Sequence, residues 1–346
     1  MGLVGILGAG CWAVALGRLL CRSGHQVRLW EIDSEAAKVL SDTRQLEAKL
    51  PGVRLSEDVF IGSDLADVVR DAEFVLVAVP ARFFESTLEA LTASGWPQQS
   101  KGLLGIVSKG LLFPGGRRMS VEASKVLGAD RIVVVSGPSH AEEVGRDMPT
   151  TLVAAGVAPE ARRAVQDLLM TPRLRVYTND DVTGVEVGGA LKNVLAIASG
   201  LSDGLGFGDN SRAALITRGL REIVASGERL GGRRETLVGL AGLGDLVVTC
   251  TSRHSRNRRF GELIGQGASV KNALDQVGMV VEGYYTAQSI AILEEKHQLE
   301  LPICREVYRI LYERKNPSQA VDDLMLREKK AEIGYSSLSL QERRER

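Results

Sequence analysis

What this chain lacks first is an excess of charge of either sign: 43 Lys+Arg stand against 43 Asp+Glu in 346 residues. Without a net basic field, nonspecific nucleic-acid binding has no driving force, so no nucleic acid is expected among the partners. Cysteine is scarce, with four residues at positions 11, 21, 250 and 304. None stands in a C-x-x-C pair, which indicates neither a zinc ribbon nor a disulfide framework and fits a reducing, cytoplasmic setting. His140, His254 and His297 show no ligand spacing, and no metal site is expected. The apolar start MGLVGILGAGCWAVALG has no basic leader and is interrupted by glycines. It therefore reads as strand, loop and helix and not as a signal peptide. Position 6 carries neither Ser nor Thr, so Gly2 begins no myristoylation motif. Hydrophobic residues at 44% and charged residues at 25% lie near globular averages, which argues against membrane insertion and against disorder.

Glycine is what the chain has in excess, 38 of 346 residues or about 11% against a usual ~7%. With no collagen period, this points to tight loops and close backbone approaches, ligand loops first among them. The length suits about two domains. Apolar runs at 2–7, 26–30, 73–79, 103–107 and 131–135 alternate with helix-length segments near 82–93 and 118–128. Parallel strands need crossover connections, so the pattern predicts a Rossmann-like, mostly parallel α/β sheet over 1–180, completed by 149–156, a helix near 159–170 and 173–178. Beyond 180 the segments 181–201, 211–230, 257–266, 284–297 and 302–314 read as helical. An all-α second domain over 181–326 and a charged tail over 327–346 are therefore expected.

The first strand runs into Gly8-Ala9-Gly10-Cys11-Trp12-Ala13 and a helix, a G-x-G-x-x-A match in the right context for a dinucleotide. Gly8 permits the turn, Gly10 admits the pyrophosphate, and Ala13 keeps helix and sheet close while free N–H groups meet the anion. Glu31, about 20 residues on, is placed to accept from the adenosine ribose and to repel a 2′-phosphate, which favours NAD with NADP as the alternative. The competing reading is that Glu31 or Asp33 begins the next helix with Ser34. Loops after later strands hold Ser108-Lys109-Gly110 and Ser136-Gly137-Pro138-Ser139-His140-Ala141, where ligands of an open sheet bind.

In the second half, VGGALKNVLAIASGLSDGLGFGDN places Lys192 among small and apolar residues. Gly188, Gly189, Leu195 and Ala196 are its helical neighbours, leaving room for a ligand and lowering the lysine pKa toward a useful value. A solvated lysine on a packing helix is the competing reading. The stretch GLAGLGDLVVTCTSRHSRNRRFGE adds Asp245, Thr249 and a cluster of Arg253, Arg256, Arg258 and Arg259 suited to a phosphate. Cys11 and Cys250 have no base beside them in sequence and are assigned no chemistry.

Through GAGCWAVAL, VSKGL, SGPSHAEEV, GGALKNVLAIASGLSDGLGFGDNSRAALITRGL, GLGDLVVTCTSRHSRN and VVEGYYTA, residues 2–317 closely resemble the bacterial-type NAD(P)-dependent sn-glycerol-3-phosphate dehydrogenases. The resemblance implies a Rossmann domain, a helical substrate domain, often a homodimer, and a cytoplasmic enzyme supplying glycerol 3-phosphate for phospholipid synthesis. It makes Lys192 the acid/base, Lys109 a second active-site lysine touching substrate and cofactor, and Asp245 and Thr249 the holders of the reacting end. Ser255, Arg256 and Asn257 would bind the substrate phosphate, Arg256 also approaching the cofactor. Gly137, Ser139 and Asn193 would line the substrate. Gly8, Gly10, Cys11, Trp12, Ala13, Glu31, Ala141 and Glu282 would contact the dinucleotide. Two departures from the family pattern are Cys11 in place of a small hydroxyl residue and Ala13 in place of the third glycine. Ile32 and its acidic neighbours replace the Arg or His common after the position of Trp30. The substrate pair implied is dihydroxyacetone phosphate and sn-glycerol 3-phosphate. The alternatives are a related hydroxyacid or polyol-phosphate dehydrogenase and an NADH-sensing protein without turnover.

Overall fold

Eight strands form one sheet: β1 (Leu3–Leu7), β2 (Gln26–Trp30), β3 (Phe60–Gly62), β4 (Phe74–Val77), β5 (Leu103–Ile106), β6 (Ile132–Ser136), β7 (Thr150–Ala155) and β8 (Leu174–Asn179). They are seen in a computed structural model that describes residues 2–329, 331 and 332. Their order is β3-β2-β1-β4-β5-β6-β7-β8, parallel throughout except between β6 and β7. The central strands are nearly continuous apolar runs because helices cover both faces. β8, at an edge, alternates instead: Leu174 and Val176 are buried while Arg175 and Tyr177 are exposed. β3 lies outside the expected set, since three residues with only two apolar side chains carry no readable alternation.

The chain leaves β1 toward β2 on one side and returns as β4 on the other, so a crevice opens outside the carboxyl ends of β1 and β4. The Gly8–Gly10 loop lies there. One core cluster packs the helix Cys11–Arg22 and the helix Pro159–Leu169 on one face. The helices Phe84–Ala93 and Met119–Leu127 cover the other face.

The second half is organised around the 23-residue helix Val182–Gly204, buried without a break from Gly184 to Ser202. At 1.5 Å per residue it runs about 34 Å through the middle of the helical half. One of its N-terminal orphan donors is met by Asp181, whose side chain accepts from Gly184 N–H. The helix Arg256–Gly265 crosses it at backbone contact. A Cβ on Gly200 would fall 1.9 Å from the Arg258 carbonyl oxygen, and one on Gly261 2.1 Å from that of Ile197. Much of the glycine excess thus serves helix crossing as well as ligand loops.

Other boundaries depart from expectation in instructive ways. The expected helix 284–297 is two, Glu282–Gln288 and Ile290–His297, meeting at Ser289. The short helix Asp245–Thr251 had no separate signal, because it grows out of a π-type turn at Leu240–Gly244 and is too brief to show a period. Of the charged tail expected over 327–346, only residues 327–329, 331 and 332 are among those described.

The crossing gives a test of the packing argument. Gly200→Ala should cost about 1–3 kcal/mol, the range typical of overpacked cores. A fall in the urea unfolding midpoint would report it, and an unchanged midpoint would contradict backbone contact at that crossing.

Candidate active site

Three elements bring three charged side chains to one point. The central helix offers Lys192 from its middle. The loop after β5 offers Lys109. The π-type turn rests its backbone so closely on the end of the preceding short helix, Arg234–Leu237, that a Cβ on Gly242 would lie 1.8 Å from the Leu237 carbonyl oxygen, and it delivers Asp245 as the next residue. Asp245 is 1% exposed, Lys192 6% and Lys109 19%. Lys192 Nζ donates to Asp245 Oδ1, and Lys109 Nζ donates to Asp245 Oδ2 at 2.7 Å. Both carboxylate oxygens are engaged, each by a different ammonium group. Thr249, one helical turn on from Asp245, accepts from Lys192 Nζ at 3.0 Å and donates to the Asp245 carbonyl at 2.6 Å. Lys109 also donates to the Gly137 carbonyl at 2.7 Å and to Ser139 Oγ at 3.4 Å.

Burial pushes Lys192 down to about 7, against the pull of Asp245, and the neighbouring Lys109 charge pushes the same way. Asp245 stays below the usual carboxylate range: burial raises it, but the two ammonium groups together outweigh burial. The cluster is a carboxylate saturated by two amines, one of which sits near its own midpoint at neutral pH. Such a lysine is equipped to give or take a proton at an adjacent oxygen.

The surroundings of Lys192 correct one expectation. The room beside Gly188 and Gly189 is filled by protein: a Cβ on Gly188 would meet the Ala241 carbonyl at 2.9 Å, and one on Gly189 would meet Ser136 Oγ at 2.6 Å. These glycines let the helix seat against β6 and the π-type turn, and that seating brings Lys192 to Asp245. The solvated reading of Lys192 fails on its burial.

The expected phosphate cluster divides. Arg258 pairs with Asp203 at 2.7 Å and Arg259 with Glu262 at 3.1 Å, both structural. Arg253 is exposed on the loop before. Ser255 is buried and caps the helix Arg256–Gly265, its hydroxyl accepting from Arg258 N–H at 3.2 Å. Asn257 donates to Asn193 Oδ1 at 3.0 Å and accepts from Gly283 N–H at 2.8 Å, so the buried amides of Asn193 and Asn257 brace each other. Arg256 is exposed and makes no ion pair or hydrogen bond among the described residues. Its charge acts on both Cys11 and Glu282, which places it between the glycine loop and the helix Glu282–Gln288.

On the dinucleotide side, the residues present fit the group that the loop implies. Gly8 has φ +102°, and a Cβ there would press on Val79 and the Ala78 backbone at 3.1–3.2 Å. Gly10 is different: a Cβ on it would meet nothing within 4 Å, so the protein itself does not require glycine at this position. Gly10 offers no side-chain cap to the helix Cys11–Arg22, whose first-turn N–H groups stay available to an anion. Ala13 is fully buried, while Cys11 and Trp12 are part-exposed on the crevice. The Cys11 thiol is raised by burial and donates to the Lys49 carbonyl at 3.4 Å, so it is not a reactive thiol. Asp33 is the helix cap, accepting from Glu35 and Ala36 N–H at 2.9 and 3.0 Å, which leaves Glu31 as the carboxylate at the end of β2. Gly137 has φ +128° and, with Ser139 and the part-exposed Ala141, continues the lining after β6. Glu282 reaches across to the sheet half, its buried carboxyl accepting from Ala81 N–H at 3.2 Å, and burial pushes it up to about 7.

One polar residue of this wall was passed over in the sequence for want of metal spacing. His140 lies against the cluster, its imidazole driven down to about 4 by burial and then by the Lys192 and Lys109 charges. No sequence pattern marks it, because its setting is made by helix Asp245–Thr251 and not by its own neighbours.

Comparison with known proteins bears on the whole chain. The N-terminal model of NAD-dependent glycerol-3-phosphate dehydrogenase matches residues 3–162 and the C-terminal model matches 181–322. A glycerol-3-phosphate dehydrogenase (NAD(P)+) of Pelotomaculum thermopropionicum is 47% identical over 341 residues, covering 98% of this chain and 97% of that one. One of Agathobacter rectalis is 44% identical over 339 residues, covering 98% and 99%. The crystal structure of glycerol-3-phosphate dehydrogenase from Coxiella burnetii aligns with a TM-score of 0.89 at 39% identity, covering 94% of this chain and 99% of that one.

The contrast between the two loop glycines is testable. Gly10→Ala should leave the unfolding midpoint within about 0.5 kcal/mol of the parent while weakening NADH binding about tenfold, some 1.4 kcal/mol. Fluorescence titration with NADH reads the second quantity, and undiminished affinity would remove Gly10 from the binding site.

Proposed function

Because this chain belongs to the NAD-dependent glycerol-3-phosphate dehydrogenase family, we propose that its buried Lys192, Asp245 and Lys109 cluster performs the interconversion of dihydroxyacetone phosphate and sn-glycerol 3-phosphate. The protein is an NAD(P)-dependent oxidoreductase acting on a CH–OH group, and in this reading its product supplies glycerophospholipid synthesis. No helix among the described residues is long and apolar enough to cross a membrane. The reading includes a cytoplasmic homodimer with no nucleic-acid partner.

The single observation that carries the reading is the Asp245 carboxylate held between two ammonium groups at the carboxyl edge of the sheet. When bound, the dinucleotide donates or accepts the hydride. Every other requirement falls on the chain. Protonated Lys192 stabilises the negative charge that grows on the C2 oxygen during reduction and then gives up its proton to it; in oxidation the neutral amine takes that proton back. Asp245 holds Lys192 in place, Thr249 fixes the direction of its Nζ, and Lys109 adds positive field beside Gly137 and Ser139. Arg256, free of protein partners, anchors the phosphate, and that remote binding energy positions C2. Gly8, Gly10, Trp12 and Ala13 seat the pyrophosphate and Glu31 the ribose, with Glu31 favouring NAD over NADP. Ala141 and Glu282 bound the nicotinamide side. An NADH sensor would have no use for a lysine held near its midpoint against a buried acid.

The decisive assay follows NADH and NADPH absorbance with dihydroxyacetone phosphate, with unphosphorylated dihydroxyacetone as control. Oxidation only with the phosphorylated ketone, faster with NADH, is expected. Lys192→Ala should lower turnover at least about 100-fold, the usual contribution of a positioned acid, while NADH still binds. For the parent, kcat/KM for reduction should fall as pH rises past about 7, because the ammonium form is consumed, and the oxidation direction should show the opposite slope. Near-parental turnover in the Lys192 variant would discard its assignment. Arg256→Ala, which removes a charged hydrogen bond, should raise KM for the phosphorylated ketone roughly 10- to 100-fold with a smaller change in kcat. An unchanged KM would place the phosphate elsewhere.

A further inference from the structure

Each reduction takes one proton from Lys192, and water has to replace it before the next turnover. Lys192 is poorly placed to collect that proton itself, because its side chain is only 6% exposed and a substrate seated on its Nζ covers what remains. Its ionisable neighbours differ in their access. Asp245 is 1% exposed and has both oxygens engaged. Cys250 is fully buried, and burial raises its thiol. The His140 imidazole keeps its Nε2 away from solvent. Lys109 is the open neighbour, with 19% of its side chain exposed. It stands beside Lys192, since the two ammonium groups grip opposite oxygens of one carboxylate, and it is near enough to interact with the Lys192 nitrogen directly. Its other donors reach the Gly137 carbonyl and the hydroxyl of part-exposed Ser139.

We propose that Lys109 is the proton port of the reaction, reloading Lys192 from solvent in reduction and draining it in oxidation. The inference rests on the glycerol-3-phosphate reading above and gives Lys109 a task beyond its positive field. When the C2 oxygen takes its proton, an N–H bond of Lys192 breaks, an O–H bond forms, and Lys192 is left a neutral amine. An N–H bond of the Lys109 ammonium then breaks as its proton passes to the Lys192 lone pair. Lys109, now neutral, takes a proton from water on its exposed side, which restores both ammonium groups with no electron transferred. In oxidation the same steps run backwards. Asp245 is the clamp and not the carrier. To pass a proton on, it would have to accept at one oxygen and release from the other, which requires the carboxyl group to turn while both oxygens are held. Burial would raise it toward the protonated form, but the two ammonium groups outweigh burial and keep it a carboxylate.

Arginine separates the two tasks of this side chain: it keeps the charge and can donate to Asp245, but its guanidinium does not release a proton near neutral pH. The test compares the full-length parent, Lys109→Arg and Lys109→Met with NADH and saturating dihydroxyacetone phosphate, at rising imidazole concentration and constant ionic strength. NADH fluorescence titration establishes that each variant is folded; if one is not, the other carries the test. Both variants should lose about 100-fold in kcat, the usual worth of a positioned proton donor. Imidazole, a small proton carrier, should then raise their kcat several-fold in a dose-dependent way while the parent stays flat. Parental kcat in Lys109→Arg would show that charge alone suffices and would overturn the proposal. A loss that imidazole leaves untouched would overturn it as well, since a purely structural or electrostatic defect does not answer to a proton carrier. If the parent itself fails to reduce dihydroxyacetone phosphate, the reading of the enzyme falls first and the inference with it.

Discussion

The structure turns on one buried carboxylate. Asp245 is almost without exposure, and a lone negative charge in that position would be strongly destabilising. It is tolerated because Lys192 and Lys109 reach it from two other parts of the chain and take one oxygen each. Burial of the same site holds Lys192 well below its ordinary protonation range, the Lys109 charge pushing the same way and Asp245 pulling against both. The acid and the base are therefore coupled: the ion pair that makes the buried Asp245 tolerable also draws Lys192 back toward its ordinary range, against the burial that lowers it.

Bringing those side chains together requires exact backbone placement over long sequence separations. Lys109 and Asp245 are 136 residues apart, and Lys192 and Asp245 are 53 apart. Glycine supplies the close approaches. Gly188 and Gly189 seat the central helix on the π-type turn and β6, Gly200 and Gly261 let the neighbouring helix cross it backbone to backbone, and Gly242 shapes the turn that presents Asp245. Interiors packed to this density transmit displacement instead of absorbing it, so residues far from the cluster help set its distances.

Much of this was legible in the linear chain, and the parts that were not share a cause. The strand runs, the G-x-G-x-x-A loop and the helical second half follow from periodicities and turn chemistry that depend on near neighbours only. Lys192, Asp245 and Arg256 stand in long motifs that marked them as candidates. What escaped were features whose meaning comes from distant contacts: β3, too short to show alternation; helix Asp245–Thr251, hidden behind its π-type turn; the room beside Lys192, which another segment fills; and the commitment of Ser255 to a helix cap. His140 belongs to the same class, since only the packing of helix Asp245–Thr251 against the loop after β6 leaves its nitrogen buried and unpaired.

By itself the sequence determined the order of elements, the position of the dinucleotide loop and the inventory of charged groups, because each is encoded within a window of a few to some twenty residues. Only the tertiary structure decided which arginines of the cluster are taken up in ion pairs, which loop glycine the protein's own packing does not require, and that two lysines share one acid. Those outcomes depend on distance and burial between segments far apart in the chain, quantities that no local pattern carries.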